Sequence, residues 1–358
     1  MTTTYTATAP GKLVLFGEYV VLEGAPALVT AMDPRARATF VTGAPGALPV
    51  WNLHAPTLDL HVALEARGDA VVPLGGAQVP PALALMVRLL TEVHRLSAGR
   101  LPPGTLTLDT QAFYKGTVKL GLGSSGAITV AAWHALATAA ELTPMGPQTT
   151  IATLRAVHSA SQGGQGSGID LAASLMGGVV RYQLGQASAV HPEVVGPLSA
   201  THVRPLPELH MMPMWTGQPA VTGTFLAAFA ALKKNAPQAF WPLCEEMALI
   251  SRAACELWAL GEVTPLLPLV TRSMTALEHL GKAMQVDLIT DVHRQAAAAA
   301  QASGAFYKPS GAGGGDFGLL FAESHRSLQR ASRALVAQGL TPMPLPQGGK
   351  GLIVHTKD

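Results

Sequence analysis

Cysteine is nearly absent from this 358-residue sequence, and the two that occur, Cys244 and Cys255, stand in a stretch with helical spacing of apolar residues. On one helix they fall about three turns apart, beyond disulfide reach, so both read as buried thiols. No CxxC and no His pair at i, i+4 occurs, which argues against a structural zinc. Charge is scarce too: 13% of residues are Asp, Glu, Lys or Arg, against 48% hydrophobic. That balance excludes general disorder, because disordered chains are polar and highly charged. With a formal net charge of +2 and no basic cluster, nucleic acid is not expected as a partner, and the Lys233–Lys234 doublet reads as a solvated helix face. Long hydrophobic runs are missing as well. Pro, Gly or a charge interrupts each one short of the roughly 18 apolar residues that a spanning helix needs, so no membrane association is expected. The N-terminal MTTTYTATAPGK has neither a basic start nor an apolar core, so the expectation is no signal peptide and a cytoplasmic location.

What the sequence has in quantity is glycine (37) and proline (27), and these divide it into short elements. Thr, Val and aromatic content between Gly and Pro predicts strands at 3–9, 27–32, 35–42 and 48–53. Residues 81–97 carry helical periodicity and open with Pro, which suits a first helical turn. A strand near 105–110, a Gly-rich turn at 121–126 and an Ala-rich helix to about 140 follow, then helices at 148–160 and 168–176 and a strand at 178–183. The Pro-rich stretch 192–207 reads as a connection between two halves. Beyond it come a strand at 209–215, helices at 220–234, 238–260, 263–281 and 285–302, and strands at 304–308 and 317–321. A helix at 324–338 and a strand at 351–355 close the chain. The pattern is α+β, with helices and strands segregated rather than alternating. Its length fits one large domain or two ordinary ones.

Three Gly-containing segments stand out: APGKLVLFGEYVVLEG at 9–24, KLGLGSSGAITVAAWHAL at 119–136 and KPSGAGGGDFGLLF at 308–321. GLGSSG directly precedes a helix, where free N–H groups and the helix dipole favour an anion and glycine lets the main chain approach phosphate. Ser124 and Ser125 add hydroxyls for phosphate or magnesium, and Lys119 adds a cation. Taken alone, such a turn is more often just the start of a helix. GLGSSG also satisfies GxGxxG, with Glu141 20 residues after Gly121. A dinucleotide fold, however, needs a buried strand running into the first Gly, and FYKGTVK is not one. GxxxxGK[ST] is absent, so a P-loop NTPase is excluded, and DFG at 316–318 lacks the other protein-kinase motifs. In GQGSGIDLAASLMGG at 164–178, Ser167 and Asp170 form a capping-box-like pair. Asp170 is then either a cap or a carboxylate presented for proton acceptance, and spacing does not choose between them.

Taken in order, the three segments resemble the three signature motifs of the GHMP kinases, across essentially the whole chain. Gly17-Glu18-Tyr19, Lys119 ahead of GLGSSG, the GSGIDLAASLMGG segment, Trp215-Thr216-Gly217 with Pro219-Ala220, and the triple Gly before Asp316 and Gly318 resemble the bacterial phosphomevalonate kinase branch. The resemblance implies a ribosomal-protein-like N-terminal domain, a ferredoxin-like C-terminal domain and an active site in the cleft between them; we set the halves at 1–205 and 206–358. It implies ATP and Mg2+ as cofactors, phosphomevalonate as substrate, and a monomer or homodimer. By the same resemblance Lys12 and Asp170 are catalytic, and Lys119, Gly121, Leu122, Gly123, Ser124, Ser125 and Gly126 hold the ATP phosphates, with Ser125 as metal ligand. Glu18, Tyr19, Ser167, Thr216, Ser310, Gly311, Ala312, Gly313 and Gly314 are the implied substrate contacts, the 310–315 loop presenting backbone N–H groups. Mevalonate kinase is the nearest alternative. A GHMP-fold sensor without turnover is another, against which Lys12, Ser125 and Asp170 are all present.

Overall fold

The computed structural model describes residues 2–44, 49–160, 166–185, 197–220, 222–345 and 349–357. The chain opens with two long strands, β1 (Thr4–Phe16) and β2 (Ala27–Thr42), joined through a 3-10 turn at Val20–Glu23. Three further strands form a meander: β3 (Val50–Ala55), β4 (Leu60–Arg67) and β5 (Ala70–Pro73). Helix α1 (Ala84–Leu96), strand β6 (Gly104–Asp109) and a small hairpin of β7 (Tyr114–Lys115) and β8 (Val118–Lys119) lead to helix α2 (Ser124–Ala139). Helices α3 (Pro147–Ala160) and α4 (Ile169–Met176) precede strands β9 (Val179–Gln183) and β10 (Ser199–Val203). After strand β11 (His210–Trp215) come helices α5 (Thr222–Asn235), α6 (Pro237–Leu260), α7 (Val263–Met284) and α8 (Asp291–Ala302). Strands β12 (Phe306–Ser310) and β13 (Phe317–Ala322), helix α9 (His325–Ala337) and strands β14 (Thr341–Pro342) and β15 (Ile353–Lys357) complete the order.

A nine-stranded sheet runs β10-β9-β2-β6-β3-β4-β5, with β1 on β2 and β15 on β1. β1 follows one edge of β2, whose other edge takes β9 at its start and β6 at its end. Only β3 with β6 is parallel among these described pairs. The strands expected at 27–32 and 35–42 are thus one strand, and its register against β1 shifts at Pro10/Gly11. Helix α2 packs on β1 and β2, with α1 and α4 beside it. Its Ala127, Ala131, Ala132 and Ala135 are fully buried, and small side chains on all sides let a helix pass between a sheet and other helices.

The second sheet is antiparallel in the order β12-β13-β11-β14. Helices α8 and α9 cover it through Ala296, Ala300, Leu328, Ala331 and Leu335, packed on Met214, Tyr307 and Leu320. The larger core is continuous across both halves through α6 and α7, and Phe16 of β1 meets Phe321 of β13 at 6.1 Å between ring centroids. The final strand returns to the first sheet, pairing Ile353–Lys357 with Thr4–Thr8. Cys244 and Cys255 are buried free thiols on α6, pushed up to about 12 by burial.

Three local expectations change. The described part of the Pro-rich connection contains β10, paired with β9, so it belongs to the sheet; residues 192–196 lie outside the described set. Helix α8 begins at Asp291 rather than 285, because Gln285 caps α7 in a left-handed conformation and buried Leu288 and Ile289 anchor the bend between them. Strands β4 and β5 and the β7–β8 hairpin, unforeseen in the sequence, rest on cross-strand pairing that short, half-exposed segments do not announce. Among the described residues no helix is long and apolar enough to cross a membrane.

Candidate active site

A cleft of about 580 Å³ opens between the two halves, lined from β1, the Val20–Glu23 turn, the head of α2, α4, the start of α5 and the 311–316 loop. Its floor is built at the β1 register shift. Gly11 there lies so close to the phosphate-loop candidate that a Cβ would stand 2.7 Å from Leu122 O. The neighbouring Lys12 N–H donates to that same oxygen at 2.8 Å, which fixes Lys12 against the 121–126 turn. Gly123, left-handed, is the N-cap of α2, and no side chain caps the helix. The first-turn amides of α2 therefore face the cleft with the positive end of the helix dipole behind them.

Lys12 and Asp170 flank Gly123, whose Cβ would lie 3.0 Å from Lys12 Cγ and 3.7 Å from Asp170 Cβ. The Asp170 carboxylate occupies the space over Gly126, where a Cβ would be 2.5 Å from Oδ2. The capping box expected from Ser167 and Asp170 does not form. Gly168 is the N-cap of α4, Asp170 lies in the first turn, and its Oδ1 accepts from its neighbour Leu171 N–H at 3.0 Å. Ser125 Oγ is 3.0 Å from Nε2 of the buried His158. A serine hydroxyl and a carboxylate facing one cleft are hard oxygen donors, which suit magnesium better than a soft metal.

The second glycine loop closes the opposite wall. Tyr19 OH donates to Ala312 O at 2.6 Å, and burial beside Glu18 pushes the Tyr19 hydroxyl above its ordinary range. Lys12 Nζ approaches Gly311, 3.8 Å from where its Cβ would stand. Glu18 forms an ion pair with Lys308 that is sealed from water, the lysine also donating to Pro309 O at 2.8 Å.

The cleft collects most of the residues singled out from sequence: Lys12, Glu18, Tyr19, Lys119, Gly121, Gly123, Ser124, Ser125, Ser167, Asp170, Gly311 and Ala312. Others do not line it. Leu122 is buried beneath the turn and Gly126 lies under Asp170. The Ser310 hydroxyl donates to Val14 O at 2.9 Å, and that of Thr216 donates to Asp316 O at 3.0 Å. Gly314 N–H donates to Leu288 O at 2.8 Å, and Gly313 packs on the same carbonyl, so the far end of the loop turns its backbone into the protein. Absent from the sequence expectation are Asp316 and His158, which line the cleft, with Pro219, Ala220 and Leu226. His158 carried no spacing signal, whereas Asp316, Pro219 and Ala220 stood in quoted motifs without a role.

A family model described as GHMP kinases N terminal domain matches residues 87–178. The chain is 31% identical to the phosphomevalonate kinase of Streptomyces sp. (strain CL190), over 96% of this chain and 97% of that protein. It is 25% identical to the mevalonate kinase of Thermococcus gammatolerans, over 98% of each. The solved structure of Streptococcus pneumoniae phosphomevalonate kinase in complex with phosphomevalonate and AMPPNP superposes with a TM-score of 0.78 at 23% identity, covering 96% of this chain and 99% of that one. At that identity the likeness is one of fold.

Proposed function

The chain belongs to the GHMP kinases, and from that premise we propose that it transfers the terminal phosphoryl group of ATP to 5-phosphomevalonate, giving ADP and 5-diphosphomevalonate. The observation that carries this reading is the convergence of Lys12, Asp170 and the uncapped head of α2 across Gly123. Phosphoryl transfer asks a protein chiefly for positioning and charge neutralisation, and those are the groups that this cleft offers.

In the proposed reaction the amides of the 121–126 turn hold the ATP phosphates on the helix N-terminus, and Lys119 offsets their charge. Ser125 would hold a magnesium ion bound with the nucleotide, which supplies further neutralisation of the phosphates. Lys12 reaches from the first motif towards Gly311, so its ammonium can bridge the transferred group and the acceptor phosphate. That acceptor oxygen is already largely ionised at neutral pH, so the step needs no strong base. Asp170 then orients Lys12 and takes up a proton where the acceptor still carries one. Gly311 and Ala312 form the part of the second loop available to the substrate.

The Streptomyces relative favours phosphomevalonate as acceptor. Mevalonate kinase is the second reading, supported by the 25% identity to the Thermococcus protein. A coupled ADP-release assay of the purified chain with mevalonate, phosphomevalonate, galactose and homoserine tests both. Turnover with phosphomevalonate alone supports the proposal, turnover with mevalonate alone transfers it to the second reading, and no ADP release with any acceptor contradicts an enzymatic role.

A further inference from the structure

Asp316 stands where three segments meet, and the mechanism above gives it no task. It is a non-glycine residue with φ of 52°, between the glycine loop and β13. Its N–H donates to Gln218 O at 2.7 Å, and its C=O accepts from the Thr216 N–H at 2.9 Å. Its Oδ1 accepts from Ala220 N–H at 3.0 Å. One residue thus pins the 216–220 turn, which leads into α5. Its carboxylate also covers the phosphate loop: a Cβ on Gly121 would stand 2.1 Å from Oδ2. Asp316, Lys12 and Lys119 all line the cleft.

A carboxylate in a cleft built for phosphate groups opposes the ligand, so its presence calls for a use. Burial raises its pKa, and the Ala220 amide and the charges of Lys12 and Lys119 offset that rise only in part. Pinning a turn needs only an acceptor oxygen, and an asparagine amide would serve. A full negative charge acts in addition on charged groups around it, and Lys12 and Lys119 are the cations that line the same cleft.

Resting on the kinase reading, we propose that Asp316 is a positioning residue whose charge holds Lys12 and Lys119 over the phosphate loop in the empty cleft and yields them to phosphate groups on binding. Its charge therefore works against phosphate affinity and in favour of lysine alignment. Removing the charge while keeping the shape separates these two effects.

The test uses the full chain as wild type, Asp316→Asn and Asp316→Ala. Calorimetry measures inorganic pyrophosphate binding, and steady-state kinetics measures ATP-dependent turnover of phosphomevalonate. Asp316→Asn is expected to bind pyrophosphate about five-fold tighter, the scale of removing one like charge from a half-buried site. Its kcat is expected to fall about ten-fold, with no rise in the KM for ATP, since a preorganised charge contact is lost in the transition state. Asparagine indistinguishable from wild type in both measurements, with only the alanine variant impaired, would make Asp316 a turn clip and overturn the proposal, as would weaker pyrophosphate binding by the asparagine variant. Pyrophosphate binding does not depend on the acceptor. A wild type that ignores phosphomevalonate while the pyrophosphate pattern holds therefore contradicts the functional reading and leaves the lysine-holding role in place.

Discussion

The Lys308 ammonium and the Glu18 carboxylate form an ion pair with both side chains almost wholly removed from water, joining the third motif to the first across 290 residues of chain. Removing one partner leaves the other charge buried and unpaired, a change that typically costs about 3–5 kcal/mol. Lys308→Met is therefore expected to destabilise the protein on that scale, and the double variant with Glu18→Gln is expected to recover a large part of the loss. Denaturant unfolding of the two single variants and the double variant checks this. Equal destabilisation by the single and double variants would mean that packing around Lys308, not the ion pair, is what matters.

Lys12→Met keeps most of the side-chain length that packs on Gly123 and removes the charge near Gly311. Turnover is expected to fall by ~10² or more, the scale of losing one preorganised charge contact, while the fold and ATP binding persist. Circular dichroism and ATP titration alongside kinetics separate these effects, and near-normal turnover in a folded variant contradicts the proposed role.

Asp170→Asn keeps an oxygen able to accept from Leu171 N–H. If Asp170 only stabilises the first turn of α4, stability changes by about 1 kcal/mol or less and turnover stays as it was. The catalytic reading expects an unchanged melting temperature, a large loss of kcat and little change in ATP affinity. Gly126→Ala probes the same carboxylate from beneath, because the new Cβ would stand 2.5 Å from Asp170 Oδ2 and push it aside. It should reproduce the kinetic loss of Asp170→Asn, and normal kinetics in this variant would count against the carboxylate's placement.

His293 lies buried behind the second glycine loop with Nδ1 2.9 Å from Tyr307 OH. Burial brings its pKa down to about 4, the charge of Lys308 adding to the shift and the Gly315 backbone opposing it. The native state therefore disfavours the proton that the unfolded chain accepts near the ordinary histidine value of 6.5, so the His293 contribution is complete above that pH and is lost as pH falls from 6.5 towards 4. Unfolding measured across this window should show a smaller pH slope in His293→Gln than in wild type, and identical slopes would contradict the shift.

Where the sequence was legible, it was so because glycine had a geometric cause. GLGSSG before an Ala-rich run reads as a helix head, and α2 starts at Ser124 with Gly123 as its cap. The β1 and α4 segments likewise bring Lys12 and Asp170 to that head. Side-chain partnerships between distant segments were not legible, since nothing local encodes them. The Ser310 and Thr216 hydroxyls resemble substrate contacts in a motif, yet long-range carbonyls accept both. His158 reaches Ser125 only because α3 folds back beside α2, and Asp316 gained its place from a left-handed backbone that its sequence position does not advertise.

Under the proposed function this cleft takes an acceptor that already carries a phosphate. The most direct test is the ratio of kcat/KM for phosphomevalonate to that for mevalonate, measured with ATP under one set of conditions. Donors and cations that the proposed function assigns to the acceptor phosphate would be left unpaired by mevalonate, so a ratio of at least ~10³ is expected. Comparable efficiencies for the two acceptors, or a preference for mevalonate, would contradict it.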